Sequence, residues 1–302
     1  MIAVDWGTSS LRAYRLDPEG RIRARREAPC GIMTVADGVF ATVLEAQLGD
    51  WIDDVPIVMS GMIGSRQGWR EVPYVECPAD AAGIAGRMQP VRWGKERSAW
   101  IAPGLSCRSS AGVPDVMRGE ETQIIGALAE LSSGEATICL PGTHSKWVRT
   151  RDGRITTFAT AMTGEVFAVL RRHSILGRLM IEGSDGHDPA AFAAGLRRAG
   201  EVGGLLHHLF GARTRGLFGE IAENAALPSY LSGILIGHEI AAHAPNDEVI
   251  HLIGAATLVG LYREALTLSG RGSRVLDRDC AADGLFLLAS HLPHPPSGEP
   301  NG

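Results

Sequence analysis

The chain has 302 residues, of which 45% are hydrophobic and 21% charged, so it can bury a sizeable core and is long enough for about two domains. A net charge of −5 argues against a dedicated nucleic-acid surface, so no nucleic-acid partner is expected. The five cysteines are widely spaced and include no C-x-x-C pair, which argues against a disulfide framework or a cysteine zinc site and favours a reducing compartment.

No targeting or membrane signal stands out in the sequence. The first residues, MIAVDWG, contain no basic segment and reach an aspartate at once, unlike a signal peptide. No apolar run approaches the ~18–20 residues that a membrane span requires. We therefore expect a cytoplasmic protein that has no membrane partner.

The first predicted element is a strand that ends in a short loop of Gly, Thr and Ser, followed by two further strands. Such a loop exposes backbone N–H groups and hydroxyls, the composition of an anion-binding nest; a plain structural turn is the alternative. Asp5, near the end of the apolar strand, suits Mg²⁺ beside phosphates, through water, or else caps the turn. The loop residues are Gly7, Thr8, Ser9 and Ser10.

The stretch 106–115 has the clearest linker composition, so we expect lobes over residues 1–112 and 113–302. Apolar periodicity then predicts a helix over 119–131, with Glu120 and Glu121 in its first turn. Acids there favour the helix dipole. The functional alternative is that Glu120 is a general base toward a hydroxyl, with Glu121 as the other candidate.

Residues 138–155 repeat the pattern of residues 2–22. Gly7-Thr8 aligns with Gly142-Thr143, and the same strand, loop, strand and turn follow in order. The repeat predicts a duplicated unit, and two such loops at equivalent places suggest two lobes facing one polyphosphate across a cleft. Lys146, just past the second loop, is a candidate phosphate ligand; a solvated strand lysine is the alternative.

Further elements follow in the second half of the chain. Helices are predicted over 164–180, 189–210 and 230–243, and a strand over 249–254 leads into a helix that ends near Leu268. His238-Glu239 and His243 are spaced one residue too far for a helical zinc motif, so ordinary helix residues are the favoured interpretation. The tail 294–302 is expected to be frayed.

The paired loops resemble the actin/hexokinase/Hsp70-type ATPase superfamily. DWGTSS is similar to its first phosphate loop, PGTHSKW to its second, and LIGAATLVG to its adenosine motif, where Gly254 and Ala255 would meet the nucleotide. The resemblance implies an α/β, two-lobed, duplicated ribonuclease-H-like fold with an interlobe cleft. It also implies ATP and Mg²⁺ as cofactors, and Glu120 in the place of an aspartate base.

Four segments in order resemble the 2-dehydro-3-deoxygalactonokinase family: residues 59–79, VMRGEETQIIGA, LPGTHSKWV and MTGEVF. The resemblance implies ATP-dependent phosphorylation of the 6-hydroxyl of 2-dehydro-3-deoxy-D-galactonate, a small sugar-acid substrate, in galactonate breakdown. An anionic substrate needs a cation, for which Arg118 is the candidate. Trp69, in a Gly-rich loop, is the candidate for packing against the sugar chain.

Three alternatives stay open at this point. The chain could be a kinase of another sugar acid, an ATP-binding module of the actin or Hsp70 kind, or a duplicated binding module in which the loops are plain turns. The length of 302 residues argues against the second, because such chains carry larger insertions or a separate binding domain. The oligomeric state is also open, with a homodimer as one option.

Overall fold

The computed structural model describes residues 1–36, 38–52, 55–94, 96–131, 134–181, 186–221 and 224–292. The tail 294–302, for which fraying is expected, lies outside these residues. The chain forms two compact units: unit 1 is Met1–Glu135, Thr150–Thr157 and Asp277–Gly302, and unit 2 is Ala136–Arg149 and Phe158–Leu276. No helix in the described ranges is long and apolar enough to cross a membrane.

The strands are short and most are bounded by the turn residues seen in the sequence. In chain order they are β1 Ile2–Trp6, β2 Leu11–Leu16, β3 Ile22–Ala28, β4 Ile57–Ser60, β5 Val75–Glu76, β6 Gln89–Trp93, β7 Arg97–Ile101, β8 Leu105–Arg108, β9 Pro114–Met117, β10 Glu135–Leu140, β11 Ser145–Arg151, β12 Arg154–Ala161, β13 Ile250–Leu252 and β14 Ser273–Val275.

The α-helices lie between and after these strands. They are α1 Phe40–Leu48, α2 Ala81–Ala85, α3 Glu120–Ala127, α4 Thr163–His173, α5 Pro189–Ala199, α6 Gly204–Leu217, α7 Leu227–His243, α8 Ala256–Leu268 and α9 Cys280–Ser290.

The main sheet of unit 1 has the strand order β3-β2-β1-β4-β7-β6. Strands β1, β2 and β3 form an antiparallel meander, and β4 and β7 then add in parallel to β1. The parallel register pairs Asp5 with Ser60, so the carboxyl ends of β1 and β4 meet at one edge of the sheet. The first Gly-Thr-Ser loop therefore leaves the sheet beside the residue that follows β4, Gly61.

The sheet that contains the second loop has the order β12-β11-β10-β13-β14, which matches β3-β2-β1-β4-β7 strand for strand. Strands β13 and β14 add in parallel to β10, as β4 and β7 do to β1. The register pairs Cys139 with Leu252, so the second loop and Gly254 leave the same sheet edge. The common order confirms the duplicated unit that the repeat predicts and the ribonuclease-H-like α/β fold that the resemblance implies.

The division into units differs from the boundary near residue 112 that the linker composition predicts. Strand β9 pairs with β8 of unit 1. Helix α3 packs so closely on α9 that a Cβ at Gly126 would lie 2.0 Å from the carbonyl oxygen of Cys280. Because long-range packing holds residues 113–135 and the C-terminal helix in unit 1, local composition could not locate this boundary.

The single helix expected over 189–210 is instead two helices. Asp188 caps α5 as predicted, accepting a hydrogen bond from the Ala191 N–H at 2.8 Å. The chain then leaves the helix at Gly200, and Gly203 adopts φ 135° before α6 begins. A left-handed φ of this kind cannot continue an α-helix, and glycine adopts it at little cost. The predicted Asp188 cap is therefore right, and the predicted end is wrong.

Candidate active site

The first loop is held by backbone hydrogen bonds. The Gly7 N–H donates to the Ser10 carbonyl at 2.9 Å, which closes the turn. The Gly7 carbonyl accepts from the Ile32 N–H at 3.0 Å and the Thr8 carbonyl from the Met33 N–H at 3.3 Å. The side chains of Thr8 and Ser9 are exposed. A neighbouring segment therefore fixes the backbone of this loop, and its hydroxyls are accessible for an anion.

Asp5 lies at the start of this loop with only 15% of its side chain exposed. Burial raises the pKa of Asp5 to about 6; Arg12, 3.9 Å away, opposes this shift, and the charge of Glu120 adds to it. The described residues contain no cluster of three acidic, His or Cys side chains that could hold a metal. One carboxylate in this setting fits Mg²⁺, which takes one or two carboxylates and keeps several waters beside phosphates.

Helix α3 begins directly against the end of β4. Gly119 has φ 105°, and a Cβ there would lie 3.2 Å from the Cα of Gly61, itself at φ 94°. A Cβ at Gly119 would crowd Gly61, and one at Gly61 would lie 2.6 Å from the Trp6 carbonyl oxygen. A residue with a Cβ also adopts such φ values only at a cost. The close approach brings the start of α3 to the sheet edge from which the first loop leaves.

The two acids at the start of α3 have different surroundings. Glu120 is half-buried, and its carboxylate accepts the Arg118 N–H at 3.1 Å. Glu121 is fully buried: Oε2 accepts the Gly119 N–H at 2.7 Å, and Oε1 has no hydrogen-bond partner among the described residues. Burial raises the pKa of Glu121 to about 8, and the nearby Glu120 charge adds to this. Glu121 is therefore largely uncharged at neutral pH, whereas Glu120 is the better placed of the two to reach a substrate.

Arg118 lies just before these acids and carries unused donors. Its Nη2 donates to the Val72 carbonyl at 2.8 Å, and its guanidinium carbon lies 4.4 Å from the centre of the Tyr74 ring. Its Nε and Nη1 are buried and have no partner within the described ranges. Unpaired buried N–H groups of a cation are costly, and an anionic ligand would remove that cost.

Trp69 is half-buried in unit 1. It packs against the core that contains Trp6 and Met59, and its ring lies 5.1 Å from the ring of Trp93, measured between centroids. The position gives Trp69 a structural role in the core. A contact with a sugar stays a prediction.

The second loop follows β10 in unit 2. Gly142 is half-buried, Thr143 and His144 are exposed, and Ser145 is fully buried. The Ser145 hydroxyl lies 3.0 Å from the Tyr262 hydroxyl, which donates to Glu239 at 2.6 Å. Ser145 therefore anchors the loop to the core of unit 2, and Gly142 and Thr143 are the accessible part.

Lys146 is buried with 4% of its surface exposed, and its ammonium donates to the His144 carbonyl at 2.8 Å. The solvated strand lysine considered as the alternative is therefore wrong. The structure shows Lys146 holding the backbone of the second loop, so its charge lies under the loop. A direct contact with phosphate stays a prediction.

Gly254 lies beside the second loop, and its contact with the nucleotide stays a prediction. Gly254 is exposed at φ 147°, with the Pro141 carbonyl 3.5 Å from the position of a Cβ, and Ala255 is exposed next to it. A cavity of about 840 Å³ starts at Gly142 and extends along α8, but Gly254 and Ala255 do not line it. Its wall contains Gly142, Thr163, Gly164, Phe167, Arg171, His187, Ser229, Leu235, Ile236, Ala256, Thr257, Tyr262 and Glu264.

Sequence reasoning missed this cavity and the contribution of α4 to its wall. The wall comes from α4, α7 and α8, whose side chains are far apart in the sequence. The helix predicted over 164–180 includes most of α4, and MTGEVF contains its start. Neither pattern indicates that this helix lines a cavity, because the cavity depends on how α4 packs against distant helices.

The histidines of the rejected zinc motif are occupied elsewhere. His238 lies 2.9 Å from His208, ring nitrogen to ring nitrogen, and His243 stacks on Trp147 with centroids 6.0 Å apart. These contacts agree with the interpretation of both as ordinary helix residues.

Comparisons with known proteins agree over almost the whole chain. Residues 5–288 match the family model described as 2-keto-3-deoxy-galactonokinase. A Rhizobium meliloti (strain 1021) protein assigned as 2-dehydro-3-deoxygalactonokinase DgoK1 is 41% identical, with 92% of each chain covered. The 2-dehydro-3-deoxygalactonokinase of Escherichia coli (strain K12) is 34% identical, with 89% of this chain and 90% of the relative covered.

Solved structures give the same result. A crystal structure from Sinorhizobium meliloti, assigned as a 2-dehydro-3-deoxygalactonokinase, matches with TM-score 0.86 and 38% identity, covering 96% of this chain and 97% of that one. Component A of (R)-2-hydroxyglutaryl-CoA dehydratase from Acidaminococcus fermentans matches with TM-score 0.51 and 10% identity, covering 97% and 96%. The second likeness concerns the fold alone.

Proposed function

We propose a function from one premise: the chain belongs to the 2-keto-3-deoxy-galactonokinase family. On that premise it transfers the γ-phosphoryl group of ATP to the 6-hydroxyl of 2-dehydro-3-deoxy-D-galactonate, in galactonate breakdown. The products are ADP and the 6-phosphate of the sugar acid. The family match across residues 5–288, which spans every candidate residue of the site, is the observation that carries the proposal. With ATP as the donor, we place the reaction in the cytoplasm.

Unit 2 binds the nucleotide in this proposal. The cavity of about 840 Å³ is large enough for a nucleoside and has mainly apolar walls with a few polar groups, as ligand pockets do. Gly142 and Thr143 would meet the phosphates where the cavity begins. Gly254 and Ala255, at the same sheet edge, would border the nucleotide. Lys146 would act through the loop carbonyl that it holds and through its positive charge.

Unit 1 supplies the first phosphate loop, the magnesium ligand and the base. Asp5 would hold Mg²⁺ through water, and the bound ion would supply charge neutralisation at the phosphates. Thr8, Ser9 and Ser10 would offer backbone N–H groups and hydroxyls to phosphate oxygens, and Gly7, whose N–H closes the turn, would let a phosphate approach the backbone. Phosphoryl transfer depends on positioning and charge neutralisation more than on covalent chemistry, and these residues are of the right kind for it.

Glu120 would accept the proton of the attacking hydroxyl. It is half-buried at the start of α3, and its carboxylate already accepts one N–H, from Arg118. Glu121 is the weaker candidate because it is fully buried, and its raised pKa of about 8 keeps it protonated at neutral pH. A protonated acid cannot take up the hydroxyl proton.

Arg118 would bind the carboxylate of the sugar acid. Its Nε and Nη1 have no partner among the described residues, and a carboxylate is the planar acceptor that suits a guanidinium. Trp69 would pack against the sugar chain. Since every sugar acid has a carboxylate, Arg118 selects the class of substrate, and other contacts must select the stereochemistry.

A coupled ADP-release assay over a panel of sugar acids tests the proposal. We expect 2-dehydro-3-deoxygalactonate to stimulate ADP release most, with a dependence on Mg²⁺. Preference for another sugar acid would keep the kinase and change its substrate. If no sugar acid stimulates ADP release by a folded protein that binds ATP, the chain is not a sugar-acid kinase.

A further inference from the structure

We propose that the first turn of α4, through Gly164 and Glu165, positions the second phosphate loop and thereby sets the affinity for ATP. The proposal rests on the proposed function, because it takes Gly142 and Thr143 to be contacts of the nucleotide phosphates. Neither Gly164 nor Glu165 is among the site residues inferred above from the sequence. Both are positioning residues, since they would act on ATP through the loop.

Gly164 allows the helix to lie directly on the loop backbone. A Cβ at this position would be 2.6 Å from the Gly142 carbonyl oxygen and 2.8 Å from the Cα of Thr143. Real Cβ atoms do not approach backbone atoms so closely, and a helix and a loop backbone cannot swing aside as a flexible side chain can. Any residue other than glycine here must therefore push the second loop away from α4.

Glu165 holds the loop at two further points. Its backbone N–H donates to the Thr143 carbonyl at 3.0 Å. Its carboxylate bonds the His144 ring, although both side chains are nearly half exposed. Two successive loop residues are thus tied to one residue of the helix, so a movement of α4 must be transmitted to the loop.

The duplicated first loop shows why this support matters. There, Gly7 closes its turn with a backbone hydrogen bond of 2.9 Å, and Gly7 and Thr8 are tied to residues 32 and 33. In the second loop the one partner of the Gly142 N–H among the described residues is the Ser145 hydroxyl, at 3.4 Å, a long hydrogen bond. The second loop is therefore closed less firmly by its own residues, and the start of α4 supports it as Ile32 and Met33 support the first loop.

Helix α4 also connects the loop with the cavity. Thr163 and Gly164 line the cavity together with Gly142. A shift of the loop would therefore change the position of the phosphates relative to the nucleoside pocket. Errors of about 1 Å in such positions are known to be costly for enzymes.

Binding of a non-hydrolysable ATP analogue with Mg²⁺, measured by titration calorimetry, tests the proposal without turnover. We expect Gly164→Ala to raise the Kd about tenfold or more, a loss of about 1.4 kcal/mol. Glu165→Ala keeps the backbone bond to Thr143 and removes only the partly exposed His144 contact, so it should raise the Kd about threefold. Glu165→Gln should recover most of the affinity, since its amide can still bond the His144 ring. In steady-state assays the KM for ATP should rise and the KM for the sugar acid should stay unchanged.

Two matched variants in unit 2 serve as controls. Gly200→Ala adds a Cβ at van der Waals distance, 3.5 Å from the Arg197 carbonyl oxygen. Glu220→Ala removes an exposed carboxylate that pairs with Arg215 at 3.7 Å. Both should bind the analogue as the wild type does. If Gly164→Ala fails to fold, the test depends on Glu165→Ala and Glu165→Gln. Both should fold, because the Glu165 side chain is partly exposed.

The possible failures are distinguishable. If the wild type binds the analogue and both alanine variants bind it equally well, the positioning role is wrong and the kinase proposal stands. The alanine variants could instead lose affinity only in proportion to a fall in Tm, with the control variants showing the same relation. Gly164 and Glu165 would then have only a structural role, and the inference would also be wrong. If the folded wild type binds no analogue, the proposed function itself fails, and the inference fails with it.

Discussion

Replacing Glu121 by glutamine should make the stability of the folded protein less sensitive to rising pH. Burial raises the pKa of Glu121 from 4.5 in the unfolded chain to about 8 in the folded protein. Between these values the folded state keeps a proton that the unfolded state has lost, so the stability of the wild type falls as pH rises. The slope approaches about 1.4 kcal/mol per pH unit for one such group. Glutamine keeps the acceptor for the Gly119 N–H and cannot ionise.

The measurement is a series of thermal melts of wild type and Glu121→Gln from pH 5 to pH 8. At about 2–4 °C per kcal/mol, the Tm of the variant should gain about 3–6 °C on the wild type per pH unit. Glu76→Gln, which removes an exposed carboxylate of unit 1, should run parallel to the wild type. Parallel curves for Glu121→Gln and the wild type would refute the reasoning, since Glu121 would then be ionised in the folded protein.

Three further outcomes are expected. Glu120→Gln should lower kcat roughly 10²-fold or more with little change in ATP affinity or Tm, whereas Glu121→Gln should lower kcat less. If Glu121→Gln has the larger effect on kcat, Glu121 is the base. If both variants keep near-native kcat, the two acids only stabilise the start of the helix. Arg118→Ala should raise the KM for the sugar acid at least tenfold and leave the KM for ATP unchanged, in steady-state assays that vary each substrate; equal effects on both would contradict a carboxylate contact. Burial raises the pKa of Asp5 to about 6, so at limiting Mg²⁺ the activity should decrease as the pH drops below 6, and excess Mg²⁺ should restore it. If the pH profile is the same at low and high Mg²⁺ concentration, Asp5 is not a ligand of the metal.

The local pattern of the sequence was enough to predict the duplicated strand–loop–strand units. Both loops carry Gly-Thr, both are followed by a strand and an Asp/Gly turn, and these are short-range signals with a direct structural meaning. The common strand order confirms the duplication. The Asp188 cap of α5 was predicted on the same basis.

Features that depend on long-range packing could not be predicted in this way. Lys146 and Glu121 are buried because other elements pack over them, whereas their own hydrogen bonds, to the His144 carbonyl and the Gly119 N–H, are local. The assignment of α3 and α9 to unit 1 depends on contact between helices about 150 residues apart in the chain. The break between α5 and α6 is different, because the glycines at 200, 203 and 204 were visible in the sequence, and the apolar periodicity obscured them.

The most direct test of the central claim is the structure of the reaction product, determined by ³¹P and ¹H NMR after incubation with ATP, Mg²⁺ and 2-dehydro-3-deoxygalactonate. The account predicts one phosphomonoester whose phosphorus couples to the two protons of the C6 methylene group, formed in equal amount with ADP. Release of inorganic phosphate without an ester, or an ester at a carbon other than C6, would contradict it.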